Sequence, residues 1–569
     1  MHYLILATDY DGTLATGGQV LDATLEALKR LQKTGRKLIL VTGRQLDDLC
    51  QVFPEVNLFD CVISENGAAL YFPSTCEEFL LGSLPPESFV QELRSRDIHP
   101  LSVGKVIVAT WEPHEVEILT VIRELGLDLQ VIFNKGAVMV LPAGVNKASG
   151  LVAALSRMSL SVHNTVAIGD AENDLAFLKL SEFSVAVDNA LPSVKSEVDW
   201  VTLGSRGDGV IELIDRLLKE DLQESLLLPE RHNILLGRLN TDRDVYIQPL
   251  NRNILLAGTS GGGKSTLATG MLERFMEKGY QFCIIDPEGD YQNFDGTIVL
   301  GNIQQIPNPT EVLAILSKPE QNLVVNLMGV KADDRPSFLA QLLPSLLEMR
   351  VRTGRPHWIA IDEVHHMFPS SWNAAVTLPQ SVNGILMITV HPEHVAASAL
   401  ALVDTIIAVK TPMQTIADFC KAVGHKLPTD ALPAELASGE GVAWFLKTEE
   451  QPFQFQVIPP RQERQRHMRT YAEGILGNDR CFYFRGEDEQ LNLKAQNLTM
   501  FIQLAAGVDD LTWLHHLHRQ DYSTWLQNAI KDETLAEEVS QVERTTDITP
   551  AESRDRITSA IEKRYTLPA

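Results

Sequence analysis

The apolar residues of this chain fall into short β-branched runs separated by stretches of helical period. Within residues 1–218 the runs are LILATDY, KLILVTG, CVISENG, KVIVATW and TVAIGD. Their alternation with helical patterns predicts a parallel α/β sheet. A polar, leucine-containing helix, LIDRLLKEDLQESLL, then leads to Pro229 and sets a first boundary near 220–230. A second block repeats the pattern with NILLAG, QFCIIDP, NLVVNL, HWIAID and ILMITV, and ends around FQFQVIPP, where Pro459 and Pro460 punctuate the chain. Beyond a basic, polar stretch, QERQRHMRTYAEG, most of the remainder is amphipathic helix with few strand signals. The expected organisation is therefore α/β twice over, residues 1–220 and 231–460, followed by a mainly helical domain over 461–569.

Composition narrows this picture only a little. The chain has 569 residues, a length that suits three or four domains, with 44% apolar and 22% charged residues as in ordinary soluble proteins. No apolar run reaches the length of a membrane span, and the opening MHYLILATDYDGT runs straight into a motif, so no cleavable signal peptide is expected. Cys50, Cys61, Cys76, Cys283, Cys420 and Cys481 form no C-x-x-C pair; they read as small core residues in a reducing compartment, the cytoplasm. The net charge of −25 repels polyanions over most of the surface, which disfavours sequence-independent nucleic-acid binding.

Four short motifs in the first block carry chemistry, three of them directly after a predicted strand. Asp9-Tyr10-Asp11-Gly12-Thr13 follows the first. Two carboxylates two residues apart can both approach one substrate if the chain turns at Gly12; one can attack phosphorus while the other protonates the leaving oxygen and later activates water. Val41-Thr42-Gly43-Arg44 offers a hydroxyl and backbone N–H groups to a phosphoryl oxygen. Lys147, in GVNKASGL at a helix start, is a point charge for the phosphate and the nucleophile. Gly169-Asp170-Ala171-Glu172-Asn173-Asp174 supplies hard oxygen ligands of the kind Mg²⁺ prefers, Asp170 and Asp174 foremost. Glu172 reads equally as a solvated residue, and Asn66 equally as a substrate contact or a turn residue.

These motifs, with SENGAAL (64–70) and VAVDNA, resemble the haloacid-dehalogenase superfamily, subclass IIB, the Cof-like phosphatases, over the whole of residues 1–218. The resemblance implies a Rossmann-like fold, Asp9 as nucleophile and Asp11 as general acid/base. It also implies that Thr42, Gly43 and Lys147 hold phosphate, and that Asp9, Asp11, Asp170 and Asp174 serve the Mg²⁺ site. Asp11 to Thr42 is only one strand–helix–strand connection, whereas Thr42 to Lys147 leaves room for an insertion at about 80–145, which matches a small C2-type cap. The expected substrate is a small phosphorylated metabolite.

In the second block, Gly258-Thr259-Ser260-Gly261-Gly262-Gly263-Lys264-Ser265-Thr266 fits G-x-x-x-x-G-K-[ST], between the strand NILLA and the helix STLATGMLERFMEKG. Gly258, Gly261, Gly262 and Gly263 let backbone N–H groups curl around phosphate at a helix N-terminus; Lys264 reaches the β/γ-phosphates, and Ser265 and Thr266 complete the nucleotide site, with Ser265 on Mg²⁺. After HWIAI, Asp362 is placed to hold Mg²⁺ and Glu363 to polarise a water. Thr389 and His391 in MITVHPEHV are candidate γ-phosphate sensors. The order P-loop, IIDPEGDY, IDEVHH, MITVHP resembles the HerA/FtsK-type ATPases over about 231–455, which implies a RecA-like P-loop fold, ATP as ligand and a homo-oligomeric ring. Three departures from that pattern stand out: His391 where glutamine is common, the lead-in HNILLGRLNTDRDVYIQP where a barrel is usual, and four alternative arginine fingers, Arg335, Arg350, Arg352 and Arg355.

In the third region His515, His516 and His518 lack the cysteine or carboxylate partners of a metal site, and Trp513 and Trp525 are core or interface candidates. The leading expectation is a phosphatase fused to an ATP-binding domain that regulates or oligomerises it. A bifunctional kinase–phosphatase and a DNA-associated motor with a phosphatase effector are the alternatives.

Overall fold

The computed structural model describes residues 2–222, 230–250, 252–372, 382–447, 451–461, 471, 476, 480–486, 491–530, 532–545 and 548–565. Two compact units emerge: Met1–Asn233 with Ser317–Pro319 and Leu347–Arg355, and the rest of the chain.

The first unit carries β1 (Ile5–Asp9), β2 (Lys37–Val41), β3 (Cys61–Ser64), β4 (Ala69–Phe72), β5 (Glu77–Leu80), β6 (Ser102–Val103), β7 (Val108–Trp111), β8 (Leu129–Asn134), β9 (Ala137–Pro142), β10 (Thr165–Gly169), β11 (Phe183–Ala186) and β12 (Trp200–Val201). Eight of them form one sheet in the order β12-β11-β10-β1-β2-β3-β4-β5, parallel from β12 to β3 and antiparallel at β4 and β5. Every residue of β1 is buried. This strand lies between β10 and β2, with Ile5 opposite both Thr165 and Lys37. Residues that follow these three strands therefore share one edge of the sheet, where the chain order reverses and ligands of open α/β sheets bind. The remaining four strands form a separate antiparallel sheet, β6-β7-β9-β8, inserted before the helix Lys147–Arg157. The helices Glu87–Ser95 and Glu115–Glu124 back it through Phe89, Leu93, Ile118 and Val121. KVIVATW, expected among the parallel strands, is β7 of this insertion: its apolar run is buried by a second small core.

The second unit contains β13 (Ile234–Arg238), β14 (Asp244–Ile247), β15 (Asn253–Ala257), β16 (Phe282–Asp286), β17 (Thr297–Leu300), β18 (Asn322–Asn326), β19 (Trp358–Ile361), β20 (Ile385–Thr389), β21 (Thr405–Val409), β22 (Glu440–Phe445) and β23 (Phe453–Val457) in one sheet. Its order is β14-β13-β23-β22-β21-β15-β20-β19-β16-β18-β17. The stretch from β21 to β17 is parallel, and the other four strands extend it antiparallel. The five apolar runs of the sequence are β15, β16, β18, β19 and β20. The lead-in HNILLGRLNTDRDVYIQP forms the β13–β14 hairpin, which joins the sheet through β23.

Toward the C-terminus a hairpin of β24 (Phe482–Phe484) and β25 (Leu493–Ala495) packs with helices Leu498–Gly507, Asp510–His518, Asp521–Asn528, Glu533–Glu543 and Pro550–Tyr565. Trp513 and Trp525 belong to its core; their indole N–H groups donate to Ser553 Oγ (3.0 Å) and the Arg480 carbonyl (2.9 Å). His516 is likewise a core residue, bonded to Asp521 (2.7 Å) and the Arg485 N–H (2.9 Å), and it joins no metal-like cluster among the described residues. The basic stretch Arg461–Arg469 lies, Arg461 apart, outside the described residues. Cys61, Cys283, Cys420 and Cys481 are buried, but Cys50 and Cys76 are exposed, so only four of the six fit the reading as core residues. Among the described residues no helix is long and apolar enough to cross a membrane.

Candidate functional sites

The turn after β1, the loop after β2, the start of helix Lys147–Arg157 and the turn after β10 meet at one place. Lys147 is the hub. Its buried ammonium lies 2.6 Å from Asp9 Oδ1 and 2.6 Å from Asp174 Oδ1. Asp174 is oriented in turn by the backbone N–H groups of Asp170 (2.9 Å) and Ala171 (3.0 Å), which donate to its Oδ2. Burial and the Asp174 carboxylate push Asp9 up to about 8, against the pull of Lys147. Burial opposes the charge on Lys147, but Asp174 and Asp9 outweigh it and hold the ammonium above its ordinary range.

Asp9, Asp170 and Asp174 each bring a carboxylate oxygen within 4.8 Å of the others. Asp170 Oδ1 is buried without a hydrogen-bond partner, and the ammonium of Lys135, from the inserted sheet, rests against Oδ2. Burial raises Asp170, and Lys135 counters it. An all-oxygen set with one uncommitted acceptor fits Mg²⁺. Asp11 stands apart from that cluster: Arg44 clamps it with two bonds, 2.8 and 2.9 Å. Thr42 is buried and its Oγ1 accepts from Arg44 N (3.1 Å). Gly12 has φ +88°, and a Cβ there would sit 2.2 Å from Asp170 Oδ2, so only glycine lets the two turns approach. Asn66 takes a left-handed conformation, φ +57°, and accepts from buried Asn173 (2.9 Å), while Glu172 is exposed.

A cavity of about 570 Å³ opens beside Asp9, Asp11 and Gly43, roofed by Ser102, Trp111, Lys135 and Met139 of the insertion. Arg44 closes the second motif of the sequence but draws no role there, and Lys135 lies outside every motif, since a lone lysine in a hairpin turn carries no spacing signal. Glu65, within SENGAAL, likewise draws no role from the sequence. Buried just after β3 at φ +50°, it accepts from the backbone N–H groups of Lys105 (2.8 Å), Val106 (2.7 Å) and Ile107 (2.9 Å), and so seats the insertion on the sheet. Glu65→Gln turns one acceptor oxygen into a donor facing N–H groups. It is expected to lower stability by about 2 kcal/mol and to speed amide exchange at 105–107; unchanged exchange there would remove Glu65 as the anchor.

In the second unit the loop after β15 opens the helix Lys264–Glu277. Gly258, Gly261 and Gly263 have φ of +151°, +72° and +92°, and a Cβ on Gly258 would meet the Val409 carbonyl at 2.2 Å. Lys264 Nζ donates to the carbonyls of Gly258 (2.8 Å) and Thr259 (3.2 Å). A cavity of about 490 Å³ is lined by the loop from Ser260 to Thr266 and by Asp290, Asp362 and Glu363. Burial, then Glu363, raises Asp362 well above the usual carboxylate range. Glu363 takes φ +41°, and its carboxylate lies 3.4 Å from His365, which bonds Thr389 Oγ1 at 3.0 Å. His391 instead pairs with Glu393 at 3.1 Å. The opposite wall comes from the C-terminal helical region, through Tyr471, Ile530, Asp532, Thr534 and Tyr565. No motif marked those residues. Asp532 is itself held by Arg564 (3.0 Å) and the Tyr565 hydroxyl (2.9 Å). Arg335 binds the Pro287 carbonyl (3.0 Å); among the described residues none of the four candidate arginine fingers lines this cavity.

Two classes of domain account for these sites. Residues 6–94 and 95–214 match the family of haloacid dehalogenase-like hydrolases, and residues 234–353 match the central domain of helicase HerA. The N-terminal domain is thus of haloacid-dehalogenase type and the following one of HerA type. Among relatives, the phosphoglycolate phosphatase of Nitrosopumilus maritimus is 28% identical over 223 residues, 37% of this chain and 94% of that protein. The phosphoglycolate phosphatase of Methanothermobacter thermautotrophicus is 29% identical over 225 residues, 37% of this chain and 98% of that one. A solved haloacid dehalogenase-like hydrolase from Bacteroides thetaiotaomicron is 22% identical, with a TM-score of 0.34, over 38% of this chain and 99% of its own.

Proposed function

We propose that residues 1–220, with a cap at about 80–145, hydrolyse a small phosphomonoester through an aspartyl-phosphate, and that residues 231–460 bind and hydrolyse ATP. The observation that carries the first half is the buried Lys147 ammonium shared by Asp9 and Asp174. Asp9 attacks phosphorus, the ester P–O bond breaks, and Asp11 gives its proton to the departing alcohol. Water, losing a proton to Asp11, then attacks phosphorus; inorganic phosphate leaves and Asp9 is restored. Thr42, Gly43 and Lys147 hold the phosphoryl oxygens. Mg²⁺, when held by Asp9, Asp170 and Asp174, neutralises phosphoryl charge. The cavity, with Lys135 and Arg44 in its wall, suits a short anionic metabolite, and phosphoglycolate is the first candidate because relatives matched by the N-terminal domain over nearly their whole length are phosphoglycolate phosphatases. In the second domain Lys264, Ser265 and Asp362 serve the triphosphate and its Mg²⁺, and Glu363 the attacking water.

ATP occupancy is proposed to regulate the phosphatase or its assembly. The test is Mg²⁺-dependent phosphate release from a panel of phosphorylated metabolites, with and without ATP. Turnover of a metabolite that responds to ATP is the expected result; ATP hydrolysis with no metabolite turned over would refute it. The match to HerA favours a second reading, a DNA-associated motor; DNA-stimulated ATPase activity and a ring by light scattering would favour that one.

A further inference from the structure

At the opposite end of the first unit's sheet, before β10 and β11, three buried side chains converge: His163, Glu182 and His232. His163 lies in the turn Val162–Asn164 that enters β10, Glu182 directly precedes β11, and His232 ends the segment Glu230–His232. We propose that they form a structural transition-metal site, with zinc as the best fit, that fastens the segment Glu230–His232 to the phosphatase domain.

The geometry carries this. His163 Nδ1 lies 2.6 Å and His232 Nδ1 3.8 Å from the same oxygen, Glu182 Oε2. Tetrahedral zinc with bonds of about 2.0–2.1 Å places its ligand atoms roughly 3.3 Å apart, between those two values. The tautomer of His232 is the deciding point. Its Nε2 faces the Ser181 carbonyl at 3.3 Å, an acceptor that requires the ring proton on Nε2. Nδ1 then presents a lone pair toward a carboxylate oxygen, two acceptors facing each other in a buried place. A cation between them resolves that conflict, and a ligating histidine that donates its other N–H to a carbonyl is the usual second contact of such sites. A third imidazole, His2, has its Nε2 buried without a partner, and Glu182 and His163 are among the charges acting on it. Two imidazoles and one carboxylate suit zinc better than Mg²⁺, which favours oxygen donors.

The segment is already held from the side. Arg231 pairs with Asp199 and donates to the carbonyls of Ser181 (2.9 Å) and Glu182 (3.2 Å). The site lies at the amino ends of β10 and β11, whereas Asp170 follows the carboxyl end of β10, so its role is structural.

The full chain, purified and dialysed, would be assayed for retained zinc and then titrated with zinc after stripping. About one equivalent per chain is expected, with affinity lowered about 100-fold or more in His232→Ala and in His163→Ala. His391→Ala serves as a control, because His391, Glu393 and His394 form an exposed cluster of similar composition. Absence of binding overturns the proposal, as does zinc that leaves with His391→Ala but stays with His232→Ala. Should the buried variants not fold, Co²⁺ added to stripped His391→Ala protein decides. The visible bands of a tetrahedral site support the proposal, and the spectrum of aqueous Co²⁺ alone overturns it.

Discussion

Asp9→Asn is expected to lower phosphate release by about 10⁴-fold or more, the scale on which enzymes lose activity when a nucleophile is removed. The amide cannot form the acyl phosphate, and Lys147 loses one of its two carboxylate partners at 2.6 Å. The same substitution separates lost chemistry from lost folding. Asp9 is buried, and burial with the Asp174 carboxylate pushes its carboxyl up to about 8, above an unfolded value of about 4. A carboxyl group raised in this way contributes stability that is present in full below the unfolded value and is lost as pH rises through the folded one. Wild type should therefore lose stability between about pH 4 and pH 8 on account of this group. The neutral asparagine has no such slope, so the variant should melt no lower than wild type at pH 8. An inactive variant that also melts far lower would indicate a scaffolding role for Asp9, and full activity would place the nucleophile elsewhere.

What the chain reveals in its sequence depends on how local the controlling interactions are. Strands β1, β2, β3 and β10 of the first sheet and β15, β16, β18, β19 and β20 of the second are legible because burial on both faces demands uninterrupted apolar runs. Asp9, Thr42, Lys147, Asp170 and the P-loop are legible because each follows a strand or opens a helix within its own motif, and the strand order then brings the first four together. Arg44 on Asp11, Lys135 on Asp170 and Glu65 on the loop 105–107 are not legible. They join residues 33, 35 and about 40 positions apart, and the last two link the sheet to an insertion whose register the sequence does not announce. The wall that Tyr471, Asp532 and Tyr565 contribute to the nucleotide cavity is hidden for the same reason. Strands β21, β22 and β23, interior to the second sheet, are not among the apolar runs read as strands; β22 begins with a glutamate and a glycine, and β23 alternates phenylalanine with glutamine.

Lys264→Ala is expected to weaken ATP binding about 100-fold or more, while leaving the fold of the second unit intact. The cavity presents Asp290, Asp362 and Glu363 to any ligand, and Lys264 is the basic side chain among the described residues that line it. Removing that charge leaves a polyphosphate facing carboxylates in a protein of net charge −25. A hydrogen bond to a charged group is worth about 1.5–3 kcal/mol, and each 1.4 kcal/mol is about tenfold in affinity. Backbone damage should be small, because the ammonium donates to the carbonyls of Gly258 and Thr259 and the loop is shaped by its glycines. Calorimetric titration with ATP checks the affinity, and phosphate release by the N-terminal domain, measured on the same variant, checks the coupling. If ATP alters wild-type phosphatase activity but not that of Lys264→Ala, the P-loop is the site through which it acts. Unaltered ATP affinity would mean that nucleotide binds elsewhere, and the cavity between the P-loop and Tyr565 would need another ligand.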